Sequence, residues 1–165
     1  MRLVDSDLST VELTPSGYQF PAGYDLLSGR HIIPDWLNIK SRVAARGITW
    51  QWTFPCLYAD EAGYLADWLA SIAGGNDAGG RIDFIEPNIA VELVDACGDE
   101  ATLRFWFAHE SCPPGESDDV RFGAGFPVDI TLRLDALLVV AGAWREEIAP
   151  FPPRTPKGEF GSSPC

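Results

Sequence analysis

Along most of this chain, apolar and polar residues alternate with the period of two that marks a strand with one buried face. Val11 and Leu13 stand on one side of Glu12, Pro15-Ser16-Gly17 reads as a turn, and the aromatics Tyr18 and Phe20 follow. Residues 21–34 read as a loop rich in Pro and Gly. Leu37, Ile39 and Val43 then alternate with Asn38, Lys40 and Arg42. Arg46-Gly47 reads as a turn into a run where Ile48, Trp50, Trp52 and Phe54 share a face, so a hairpin is predicted. Pro55 is expected to end that strand, because proline has no N–H to give a ladder.

The period then changes. Ala62, Leu65, Leu69 and Ile72 fall at helical spacing, which predicts a helix from about Asp60, its expected N-cap, to about Ala73. Gly74-Gly75 stops it and leads into a polar loop reaching Gly80. Alternation returns at Ile82 and Phe84, at Ile89, Val91 and Leu93, at Leu103, Phe105 and Phe107, and at Val128, Ile130, Leu132 and Leu134. Asp135 can cap a last helix with a stripe of Leu137, Val140, Ala141 and Trp144. Strands follow one another through short turns rather than crossover helices. The expected class is therefore α+β, with a largely antiparallel, meander-like sheet of six or seven strands and two helices packed on one face. No repeat or linker divides the chain, so residues 1–154 are expected to form a single domain, with a disordered tail at 155–165.

Charge narrows the choice of partner. Of 165 residues, 24 are Asp or Glu and 12 are Lys or Arg, a formal net charge of −12. Such a field keeps a protein soluble, but it also repels phosphate backbones and anionic lipid, and it draws a basic protein inward. Neither nucleic acid nor membrane is an expected partner. The four Cys have no zinc-like spacing and no disulfide framework, the N-terminal residues have no signal-peptide core, and no run of about 18 apolar residues occurs. A cytoplasmic protein is expected.

Candidate chemistry is sparse. Glu86-Pro87-Asn88 and His109-Glu110 gather polar groups near strand ends, where a carboxylate and an imidazole could act as base and acid. A turn-capping role for the first and a half-buried His continuing a strand face for the second explain them better. There is no GxSxG and no glycine loop followed by Lys and Ser or Thr, and Cys56 beside Pro55 reads as a small core residue. No cofactor or metal site is expected. Trp50, Trp52 and Phe54 could stack bases, but a core role fits an acidic chain better. Acidic groups concentrate instead in two loops flanking the strand from Leu103 to Glu110. One holds Asp95, Asp99 and Glu100, the other Glu116, Asp118 and Asp119. From these, Asp99, Glu100, Glu116, Asp118 and Asp119 are taken as the candidate partner-binding residues.

Several short pieces occur in a recognisable order: VEL with YQFP (Val11–Leu13, Tyr18–Pro21), DWLNI (Asp35–Ile39), WQWTFPCL (Trp50–Leu57) and EAGYLADWL (Glu61–Leu69). FIEPNIAVEL (Phe84–Leu93), LRFWFAHESCPP (Leu103–Pro114) and AWREEIAPFPPR (Ala143–Arg154) complete them. Through these the chain resembles the WapI family of bacterial immunity proteins up to about Arg154. The resemblance implies an antitoxin, not an enzyme, that covers a cognate toxin domain delivered by a neighbouring cell. Such toxins are often nucleases, whose surfaces are basic. It carries over no functional residue position by position. The alternative is a non-catalytic module for a small molecule or peptide.

Overall fold

The computed structural model describes residues 1–20, 35–76 and 80–154. The loop expected at 21–34 and the tail at 155–165 lie outside the described residues, as do three positions of the loop after the first helix. The elements are β1 (Arg2–Val4), β2 (Thr10–Tyr18), β3 (Trp36–Ala45), β4 (Ile48–Tyr58), α1 (Ala59–Ala73), β5 (Arg81–Asp83), β6 (Ile89–Cys97), β7 (Glu100–Phe107), α2 (Asp118–Arg121), β8 (Phe126–Arg133) and α3 (Leu134–Ile148). A single 3₁₀ turn, His109–Ser111, follows β7.

The class is α+β and every strand pair is antiparallel, but the strands form two sheets of four rather than one of six or seven. The described residues hold three helices rather than two, the short α2 standing in the loop before β8. Their orders are β1-β2-β3-β4 and β5-β6-β7-β8, each a simple meander. α1 interrupts the chain between β4 and β5 and separates the two halves. Alternation shows that each strand has a buried face and is silent on what covers it. Here part of the cover is the other sheet: Trp50 of β4 meets Phe107 and Phe126 edge-on, with centroids 5.5 and 5.6 Å apart. Leu13, Leu37 and Ile39, Leu65 and Leu69, Phe105 and Trp144 are fully buried in one continuous core. Burying a side chain of this size contributes roughly 1.5–3 kcal/mol.

The β3–β4 hairpin turns at Arg46 and Gly47, with φ of 51° and 78°. Two positive φ values make the turn whose twist matches the strands it joins. Pro15-Ser16-Gly17 is not a turn. β2 runs through it with a bulge where Gly17 takes φ 143°. A bulge inserts one residue without ending the ladder, so turn-like composition misleads at this point. Pro55 does not end β4 either. β4 lies at the edge of its sheet, where a missing N–H need not break a ladder, and the strand continues to Tyr58.

Two helix starts also shift. Tyr58, not Asp60, is the N-cap of α1, and Arg133, not Asp135, that of α3. At α1 the third helical residue, Glu61, accepts the Tyr58 N–H at 2.9 Å, so a glutamate closes the end that an aspartate was expected to cap. α1 and α3 pack on each other, and the Trp144 indole N–H donates to the Ala62 carbonyl at 2.8 Å. α3 also lies against β2.

Candidate functional site

The five acidic residues singled out from sequence fall into two groups. Asp99 sits with Gly98 at the tip of the β6–β7 hairpin, and Glu100 opens β7 opposite Arg133. The Asp99 carbonyl accepts the Leu134 N–H at 2.8 Å, which fastens the tip to the start of α3. Arg133 lies between two carboxylates, donating to Asp99 Oδ2 at 2.5 Å and to both oxygens of Asp135 at 3.2 and 3.3 Å. Asp135 is held below its ordinary pKa, first by that guanidinium and then by the Ala136 N–H. All three side chains are exposed.

Glu116, Asp118 and Asp119 belong to the segment between β7 and β8. Ser117 caps α2 by accepting the Val120 N–H at 3.4 Å, with Asp118 and Asp119 in the first turn. Arg121 donates to the carbonyls of His109 (2.8 Å) and Pro113 (3.3 Å) and draws the segment onto itself. This group follows the end of β7 and the other lies at its beginning. Eight residues of strand put about 23 Å between the two ends. The structure therefore does not bring the five together.

A concave surface that was not foreseen from sequence lies elsewhere. One wall is α1, where Asp60, Gly63, Tyr64 and Asp67 occur at i, i+3, i+4 and i+7 and so share a face. Leu65, Leu69 and Ile72 on the other side are buried. The second wall is the chain leaving α3: Ile148, Ala149, Phe151, Pro152 and Pro153. Between them is a groove of about 420 Å³.

That second wall is firmly held. The Tyr18 hydroxyl donates to the Pro152 carbonyl, and the Tyr18 ring meets Phe151 edge-on at 5.8 Å. The Arg154 guanidinium lies 3.3 Å above the centre of the Tyr18 ring and donates to the Phe20 carbonyl at 2.9 Å. The Arg154 N–H donates to Asp35 Oδ2 at 2.7 Å. Tyr18 and Phe20, Asp35, and the APFPPR piece, far apart in sequence, thus converge behind the groove. The signal for it was present in APFPPR and EAGYLADWL, but spacing says nothing of their meeting.

Glu61 joins the groove helix to the loop between β5 and β6. Its Oε2 takes the Tyr58 N–H and its Oε1 takes the Ile85 N–H at 2.8 Å. Burial raises its pKa against the pull of those two bonds, with Asp60 and Glu86 adding to the rise.

Among the described residues neither candidate for acid–base chemistry gains a partner for it. Asn88 is buried, donates to Glu110 Oε2 at 3.0 Å, and offers its carbonyl to the Ser111 hydroxyl. His109 does not continue a strand face. It starts the 3₁₀ turn with φ 52°, half-buried, its ring 5.6 Å from that of Phe122. Among the described residues no hydrogen bond or ion pair joins Glu86 to His109. Cys56 is fully buried and burial pushes its thiol far up, the state of a core residue. Among the described residues no cluster of His, Cys, Asp and Glu could hold a metal ion, and no helix is long and apolar enough to cross a membrane.

No curated protein and no solved structure matches this chain. A model of the immunity protein WapI-like family matches residues 2–152, which takes in both sheets, all three helices and both walls of the groove as far as Pro152. The chain belongs to the immunity protein WapI-like family.

Proposed function

We propose that this protein binds a cognate secreted or contact-delivered toxin domain, a basic nuclease, and occludes its active site or substrate groove in the cytoplasm. Membership of an immunity family supports a toxin as partner. The observation that carries the choice of a basic one is the net charge of −12. A nuclease presents cations to hold phosphate, and opposite potentials speed encounter and select against wrong partners. No bond is made or broken in this mechanism. Protection comes from covering the catalytic groups, for which an interface of roughly 1,600 Å² in total is of the usual size.

Asp99 and Glu100 at one end of β7, and Glu116, Asp118 and Asp119 beyond the other, act in this reading as steering charges. Groups placed so far apart shape the field over a wide surface, and rim charges of this kind change the association rate and its salt dependence.

The test begins with the gene upstream, which is expected to encode a large secreted protein with a C-terminal toxin domain. That domain is expressed in a host with and without this chain, and survival is scored. Rescue is the expected result. Alanine at the two acidic groups, changed separately, is expected to slow association at low salt with little effect on dissociation. Absence of rescue with both proteins well expressed would overturn the reading.

A further inference from the structure

We propose that the groove between α1 and the Ile148–Pro153 segment seats a basic segment of the toxin, a Lys or Arg side chain lying along Tyr64 with its charge met by Asp60 and Asp67. The proposal rests on the toxin-binding reading and names the place on this chain where the partner is held rather than steered.

Gly63 is the first reason. Glycine in a helix interior is less favourable than alanine, and it is usually accounted for by a positive φ or by a close neighbour. Gly63 has neither: its φ is helical, and a Cβ built on it meets nothing within 4 Å. What the missing side chain does is leave the middle of the groove open, between Asp60 and Asp67 and beside Tyr64.

The walls are the second. Tyr64 is a large ring left 55% exposed. It faces a wall of Phe151 and two prolines pinned by Tyr18 and Arg154, so little ordering remains when a partner enters. An aliphatic stem can lie on such apolar surface while its cation rests over the ring and reaches a carboxylate.

Charge is the third. Among the described residues the groove is lined by Asp60 and Asp67 and by no Lys, Arg or His. Arg145 comes to Asp67 from α3 and bonds Oδ1 at 2.6 Å, and among the described residues no group bonds Oδ2. An apolar centre with carboxylates at its edge is the usual anatomy of an interface hot spot for a cationic residue.

The experiment fills the groove. Gly63→Leu in the full 165-residue chain puts a Cβ where, among the described residues, no heavy atom lies within 4 Å. The fold is therefore expected to be retained, which circular dichroism and the denaturation midpoint check. Gly142→Leu is the matched control: Gly142 is also helical, a Cβ built on it meets nothing within 4 Å among the described residues, and it does not line this groove. Gly63→Leu is expected to weaken toxin binding by about tenfold or more and to abolish rescue, while Gly142→Leu changes neither. Separately, a hexa-arginine peptide titrated into the ¹⁵N-labelled protein is expected to move the amide signals of Gly63, Tyr64 and Ala149, and to lose that effect in Gly63→Leu. Full toxin affinity in Gly63→Leu, or peptide shifts that bypass the groove, would overturn the proposal. If the wild-type chain protects against no toxin and the peptide still seats in the groove, the groove stands as a basic-segment site and the toxin reading falls.

Discussion

The two ends of α3 hold similar charge in different surroundings. At its start Arg133 lies between Asp99 and Asp135, all three in solvent. At its end, about 21 Å along the axis, the chain turns into the proline wall that faces Asp60 and Asp67 across Tyr64. Each set already has one cation, Arg133 between two carboxylates at the first and Arg145 on one oxygen of Asp67 at the second, and at the first water screens what field remains. The second is as exposed, but it lies beside an aromatic ring and apolar walls, so a basic segment seated there as proposed would shed water and be bound more strongly. A count of acidic residues ranks these ends alike. Their neighbours do not.

The most severe way to test this contrast is to loosen the packing that builds the second end. Trp144→Ala removes a wholly buried indole together with its bond to Ala62, on the contact between α1 and α3. A loss of about 3–5 kcal/mol in urea unfolding is expected. A loss below about 1 kcal/mol would mean that the two helices do not depend on each other as described.

A smaller effect is expected at Glu61, where the groove helix begins. Glutamine has one acceptor oxygen for the two N–H groups that the carboxylate serves, so Glu61→Gln should cost about 1–2 kcal/mol. The carboxyl also has a sign to check. Its pKa is raised by burial, so between its ordinary value and its folded value the native state binds more protons than the unfolded one. This group's contribution to stability therefore falls as pH rises through that window, and the glutamine variant should lack that slope. Asp129 behaves oppositely. Arg104 bonds both its oxygens, at 2.6 and 2.8 Å, and holds its pKa down, so its contribution is lost as pH falls below the ordinary carboxylate range. Denaturation midpoints across the acid range separate the two.

The mildest comparison sets Gly63→Ala against Asp99→Asn. The first adds a methyl in open space on a helix and should stabilise the protein by up to about 1 kcal/mol. The second alters an exposed ion pair and should leave the thermal midpoint in place. If Gly63→Ala is destabilising instead, something occupies the space that gives the groove its opening.

Much of the fold could be read from local pattern. The Arg46-Gly47 turn, the α1 stripe and the alternation of β7 and β8 depend on neighbours a few residues apart, and all appear where spacing places them. Pro15 and Pro55 were misread because a proline's effect depends on whether its missing N–H faces a partner strand, a fact of the sheet and not of the segment. The candidate site was less legible. The five acidic residues are adjacent in sequence to one strand, and the strand's own length holds them apart.

By itself, then, the sequence determined most of the buried faces (Ile48, read with Trp50 and Trp52, is exposed), which residues are charged, and the resemblance that membership of the immunity family bears out. These follow from composition, from periods of two and 3.6, and from the order of short pieces. Only the tertiary structure decided that the strands divide into two sheets and that Tyr18, Asp35 and Arg154 meet. It also decided that Gly63 opens onto a groove rather than bare solvent. Each of these depends on contacts between residues far apart in the chain, and a local pattern specifies that a surface must be covered without specifying by what.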